Sequence, residues 1–299
     1  MILDGLFWVI TQMYLGLAGV VHVLLNAGTY FDYSDKTNLM RLVHYGASTE
    51  LFFALFNVAL LVWIIGWVRR DFLWGVVCGM EGFANTVGRI AAWAGLLMVL
   101  QQIMVVFLQS IFRIGEISIG PFGVGMTESV GWWGDSLKLW NAVVVCLCCA
   151  WTFTQRGHVR VDLVYANVSH RTKRLIDMGG ALFFMIPALV LTYFYAWFFL
   201  WRHLINPKVN ASDTLERTLM KARAVKWNVE TIGFSPNGFD GYILFKFLLL
   251  GFCVMMIIQA VAFFYRSFLE YVEGEDSADK FHDPDKLGDE TAERAAEIH

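Results

Sequence analysis

The stretch Arg156-Gly157-His158-Val159-Arg160-Val161-Asp162, entered from Gln155, sets four ionisable residues into seven positions between two long apolar runs. The chemistry such a set supports is ion pairing and phosphate recognition. If Gly157 breaks the preceding helix, the alternation of an extended chain turns Val159 and Val161 to lipid or to a neighbouring helix. His158, Arg160 and Asp162 then point together to the other side. Asp162 is placed to cap a helix starting at Leu163, and Arg160 to pair with it or with a lipid phosphate. The plainer reading of the same residues is an ordinary loop made basic by membrane topology alone.

Other residue types invite chemistry less specifically. His22 and His44 fall near the same end of their apolar runs, and two histidines at one depth are the ligand set of a b-type haem. No second pair accompanies them, and interfacial histidines without a ligand role are the simpler account. Cys78, Cys146, Cys148, Cys149 and Cys253 lie mostly inside apolar runs. They lack the paired spacing and companion histidines of a zinc or iron–sulfur site, so they read as buried, inert thiols. Gln101, Gln102, Gln109 and Gln259 suit interhelical hydrogen bonds of about 1 kcal/mol each. Lys246 and Glu50 lie near span ends, where a long side chain can snorkel. No chain of acids or bases crosses the apolar runs, and the paired broken helices of a transporter site are missing. The spans read as scaffold rather than as a conduction path, with Pro187 marking a kink.

The elements that must position these residues follow from composition. The chain of 299 residues is 57% hydrophobic and 16% charged, with a mean hydropathy of +0.54, which excludes an ordinary soluble domain. A hydrocarbon core roughly 30 Å thick is crossed by about 20 apolar residues. Six runs qualify: 6–25, 45–68, 90–112, 137–153, 175–201 and 242–265. The first is expected to be a mature span, having no basic region before it and no small-residue cleavage site after it. The predicted fold is all-α, a polytopic membrane bundle of about six transmembrane helices.

An interfacial amphipathic helix is expected to precede the third span. Phe72, Val76, Met80, Phe83 and Val87 share one face there, and Glu81, Asn85 and Arg89 recur on the opposite one. In the loop 206–240, Asp213-Thr214-Leu215-Glu216 resembles a capping box opening a helix to about residue 227. That helix suits either contact with a soluble partner or a lid on the bundle. The tryptophans gather at the two ends of the spans as aromatic belts. Residues 272–299 carry ten acidic residues against three basic ones, as a solvated tail would. The basic cluster from Arg156 to Arg174 sits beside span ends and so places both termini in the cytoplasm.

Arg156-Gly157-His158-Val159-Arg160-Val161-Asp162, with the entry Trp133-Gly134-Asp135 into the span before it, resembles the small membrane subunit of tripartite ATP-independent periplasmic (TRAP) transporters. In that family an R-x-G-x-H-[IV]-x-V-D run follows the second of four spans, and the likeness covers about residues 90–265. The resemblance implies a non-catalytic scaffold in the bacterial inner membrane that packs on a large elevator-type subunit holding the substrate and sodium sites. A periplasmic binding protein delivers an organic acid, and no cofactor or nucleic acid is involved. By resemblance, Arg156, Gly157, His158, Arg160 and Asp162 hold the cytoplasmic loop against the large subunit or phospholipid. Trp133, Asp135 and Lys138 then lie near the face where the binding protein docks.

Three features depart from the family. A single acid, Asp135, stands where two are common; Lys138 stands where an arginine is frequent; and 167–174 lacks the usual proline. Residues 1–89 have no counterpart in four-span members, which divides the chain into an N-terminal extension (1–89), a four-span core (90–271) and an acidic tail (272–299). The alternative from another class is the membrane anchor of a haem- or quinone-linked redox complex, motivated by His22 and His44.

Overall fold

The computed structural model describes residues 2–26, 28, 36–119, 126–155, 168–205, 208–221, 239, 241–278 and 280–283. In chain order the elements are α1 (Ile2–Leu25), α2 (Lys36–Tyr45), α3 (Thr49–Val68), α4 (Arg70–Val106), β1 (Glu116–Ile119), β2 (Met126–Ser129) and α5 (Val130–Thr154). They continue with α6 (His170–Gly180), α7 (Ile186–Leu204), α8 (Leu215–Met220) and α9 (Tyr242–Glu273). Among the described residues five helical stretches are long and apolar enough to cross a membrane: Thr49–Val68, Arg70–Ile111, Val130–Thr154, His170–Arg202 and Tyr242–Glu273. The expected first span corresponds to a shorter apolar stretch, Phe7–Val23. The chain is therefore built as an all-α polytopic membrane bundle.

Local chemistry sets the helix ends. Ser48 and Ser129 each accept a backbone N–H three residues on, at 3.1 Å, and so start α3 and α5. At the other limit, α9 stops where Gly274 takes φ 92°, a conformation that strains any residue with a Cβ. Between α6 and α7 the helix widens into a π turn, Ala181–Met185, directly before Pro187. A proline ring clashes with the carbonyl four residues back, and the wider turn makes room for it.

Helix α9 is the hub, packing against α4, α5, α6 and α7. A third of its most apolar window is buried (33%), against 11–22% in the other four. At one end of the bundle Leu73, Trp74 and Val77 of α4 pack on Tyr265, Phe268 and Leu269 of α9. In the middle Ala84, Ala150, Met255 and Met256 meet. At the opposite end Met40 and Val43 of α2 pack on Leu200, Trp201 and Leu204 of α7. The first helix packs along α3, with Trp8 edge-on to Phe53 and a hydrogen bond from Asn57 Nδ2 to the Met13 carbonyl at 2.8 Å.

Several expectations need correcting. Residues 70–89 and 90–106 form one unbroken helix rather than a surface helix followed by a span, so the division at 89 falls inside an element. On its polar side Glu81 and Asn85 are buried instead of facing water. Leu73, Trp74, Val77, Glu81, Ala84, Asn85 and Gly88 form the buried stripe, while Phe72 and Phe83 are exposed. The polar face turns inward because it finds partners on α9 and beyond it. The tail does not leave the bundle at 272 either: residues 274–278 and 280–283 fold back as a strap over α4. The helix expected from Asp213 starts one residue later, with Thr214 accepting from the Arg217 N–H, because Asp213 is taken up by the Asn210 N–H and Lys221. Trp74 and Trp201 are core residues rather than belt residues. Two elements were not anticipated: helix α2, and the hairpin in which Glu116 pairs with Ser129 and Ile119 with Met126.

A buried charge cluster and candidate assembly face

The charges that the sequence scatters along the chain meet at the end of the bundle where α4 begins and α9 stops. Arg266 donates to both carboxylate oxygens of Glu81, from Nε at 2.7 Å and from Nη2 at 2.6 Å. The two side chains are only 9% and 8% exposed. Such a fork-on-carboxylate pair is the strong form of ion pair, and it bolts α9 to α4. One turn on from Arg266, the fully buried Glu270 lies 2.7 Å from Arg174 Nε of α6. The Nε–H points off the oxygen, so this contact is an ion pair rather than a hydrogen bond. Arg174 also donates to Asp177 at 3.1 Å. Three carboxylates and two guanidinium groups thus join α4, α6 and α9, satisfying charges that are expensive to bury alone.

The strap closes over this cluster. Arg266 Nη1 donates to the Lys280 carbonyl at 3.1 Å. Trp74 donates from its indole N–H to Glu273 at 3.0 Å, and Phe281 lies edge-on to the Trp74 ring. Asp283 accepts from Arg89 at 2.8 Å and from Asn85 at 3.3 Å. The Arg89 hydrogen bond, helped by Asn85, holds the Asp283 carboxyl below its ordinary range against a smaller opposing effect of desolvation.

A carboxyl depressed in this way stabilises the strap above the ordinary carboxylate range and ceases to do so as pH falls through its folded value. Both partners are partly exposed, at 41% and 59%, so solvent screens the pair and its contribution stays within about 1 kcal/mol. Asp283→Asn should therefore loosen residues 274–283 at neutral pH as strong acid loosens the wild type. Faster cleavage in the strap under limited proteolysis reads this out, and equal cleavage rates would show that the strap is held without Asp283.

The sequence-derived candidates fall into two groups. Arg156, Gly157, His158, Arg160 and Asp162 lie outside the described residues. The residues that flank them are described, and both flanks reach the charge cluster. On one side Gln155 Nε2 donates to the Asp283 carbonyl at 2.9 Å. On the other, the His170 ring approaches the Glu270 carbonyl at 3.4 Å. Trp133, Asp135 and Lys138 sit at the opposite end of α5. There Lys138, exposed, pairs with Asp135 at 2.8 Å, and the Trp133 carbonyl accepts from Gln101 at 2.7 Å. Gln101 further accepts from the Trp140 indole at 2.7 Å, so it does make the interhelical bonds expected of it. Gln259 is buried with its carbonyl oxygen unpartnered. Lys246 is buried over the Phe199 ring rather than snorkelling outward.

His22 is exposed in the last turn of α1, whereas His44 lines a cleft of about 290 Å³ with Glu50, Phe198 and Asn210. The five cysteines are free thiols. Among the described residues no group of three or more His, Cys, Asp or Glu is placed to hold a metal ion.

No family model, no curated protein and no solved structure matches this chain. The charges of the cluster answer one another across helices, so the cluster ties α4, α6 and α9 together. The signal for it was present in the sequence. Arg266 and Glu270 stand four apart at the end of a long apolar run, hence on one face, and a buried face of that kind requires partners.

Proposed function

We propose that this chain is a non-catalytic scaffold subunit of a binding-protein-dependent TRAP-type transporter for an organic acid, in a bacterial inner membrane with both termini cytoplasmic. The observation that carries the reading is the anchoring of both flanks of 156–167 to the charge cluster, Gln155 at Asp283 and His170 at Glu270. The residues on either side of the stretch that carries Arg156 and Arg160 are thereby fixed at one end of a braced bundle, as a clamp for a second subunit requires. Exposed apolar residues along α4, among them Ile90, Trp93 and Leu97, supply surface for lipid or for that subunit. Sodium and substrate sites belong to the large partner. Trp133, Asp135 and Lys138 mark the end offered to the periplasmic binding protein.

A tagged chain should bring down a large multispan membrane protein on purification. Arg160→Ala or Asp162→Ala should lower that recovery and substrate uptake together, by about tenfold for a lost buried charge-assisted contact, without changing substrate preference. A monomer that takes up substrate alone, or a variant with an altered substrate profile, would overturn the proposal.

A further inference from the structure

Beside the charge cluster, and separate from it, a cleft of about 380 Å³ opens between α3, the start of α4, α6 and the end of α9. Trp63, Trp67, Met178, Phe268 and Val272 make it overwhelmingly apolar, and Arg70 stands in its wall. Its size falls within the roughly 300–1,000 Å³ of small-molecule sites. Trp67 stacks on Phe268 with ring centroids 5.6 Å apart, which holds one wall flat. The Trp63 indole nitrogen, shut off from solvent, meets no acceptor among the described residues.

The cleft lies where an apolar helix gives way to cations. The run of α3 ends at Val68, and Arg69 and Arg70 follow, both exposed. On α6, Arg171 and Met178 are seven residues apart and so share a face about two turns long, with Leu175 between them. Arg171 and Leu175 are exposed. Arg69, Arg70 and Arg171 have no carboxylate partner among the described residues, although Asp71 follows Arg70 directly in sequence. The acids deeper in this end, Glu81 and Glu270, are already engaged by Arg266 and Arg174.

We propose that this cleft binds an anionic phospholipid of the surrounding bilayer, one acyl chain lying along Trp63, Trp67 and Phe268 and the phosphate held by Arg70 with Arg69 and Arg171. The charge pattern chooses the occupant. An apolar trough with Arg70 in its wall, and with exposed Arg69 and Arg171 on the same helix ends and without a carboxylate partner among the described residues, matches a molecule with a hydrocarbon body and a negative head. A partner helix would fill the trough but leave the arginines unanswered. The site lies partly on α3, outside the four-span region that carries the TRAP likeness, and holds whatever transporter the chain serves.

The test is phosphatidylglycerol against phosphatidylcholine, added to full-length protein stripped of lipid in detergent, with bound copies counted by native mass spectrometry. The wild type should retain phosphatidylglycerol in preference. Arg70→Gln should reduce that retention about fivefold, the ratio expected for one basic residue near a membrane surface, and Arg70→Lys should restore it. Trp67→Ala should weaken both lipids alike while leaving the preference, and it covers the case in which the arginine variants misfold. Equal retention of the two lipids by the wild type, or unchanged selectivity in Arg70→Gln, would overturn the proposal. So would cross-linking from Trp67 to a partner helix in the assembled complex.

Discussion

Glu81→Ala should cost about 3–5 kcal/mol of folding stability, the range for breaking a buried ion pair from one side. The magnitude comes less from the lost attraction than from what remains. Arg266 would keep its buried position with Glu270 at 3.7 Å, the Lys280 carbonyl and the face of the Trp74 ring as partners, and a guanidinium without its paired carboxylate in that setting is the dominant penalty. Arg266→Ala should be as severe, since it strands Glu81 and also unlatches the strap from Lys280. The double replacement Glu81→Leu with Arg266→Met should recover most of the loss, because the desolvation cost of both ions disappears with them. Thermal unfolding of the purified chain in detergent measures all three. Single variants within 1 kcal/mol of the wild type would mean that water reaches the pair and that the cluster is not the brace described above.

The brace was only partly legible in the sequence, and the reason is distance along the chain. Apolar runs announce spans because each needs only its own composition, and the five long apolar helices sit where those runs are. Periodicity also identified residues 70–89 as helical with two unlike faces. It could not say which face is buried, since the polar face is accommodated by Arg266 and Asp283, nearly 200 residues later. Without them the hydrophobic face is the natural one to bury; with them, Phe72 and Phe83 are left outside.

The tail repeats the lesson. Its acidic composition suits a solvated end, yet one of those acids, Asp283, is held by Arg89, so pairing with a specific cation outweighs the average. The hairpin had a local signal, the alternation Glu116-Ile117-Ser118-Ile119 with Ile117 buried, but four residues are too few to stand out beside spans of twenty. As for the segment 156–162, its residues lie outside those described, and only its flanks speak for its position.

Gly88→Ala should be the most damaging single-methyl change in the bundle, and its resistance to rescue is the sharper part of the expectation. A Cβ at position 88 would overlap the Cβ of Trp151 and lie 2.7 Å from its Cγ. No rotamer of Trp151 moves its own Cβ, so α4 and α5 must separate, which costs at least the 1–3 kcal/mol typical of overpacking. The same shift would lengthen the contact of the Cys148 thiol with the Gly88 carbonyl, now 3.4 Å. Trp151→Ala should therefore fail to restore stability, because the offending atom is retained.

Gly46 supplies the contrast. There an added Cβ would strike the far edge of the Trp197 ring, so shortening residue 197 removes the clash. The residual loss should then be that of the hydrogen bond from Trp197 Nε1 to the Val43 carbonyl at 2.9 Å, about 1 kcal/mol, together with the indole packing on Tyr193 and Trp201. Gly46→Ala with Trp197→Leu recovering while Gly88→Ala with Trp151→Ala does not would show that α4 and α5 are held backbone against Cβ. That spacing is close enough to transmit the position of the charge cluster along α4 to the Gln101 and Trp133 end. Recovery of both pairs would mean that the α4–α5 contact is adjustable, and then α4 could not serve as the rigid member linking the two ends of the bundle.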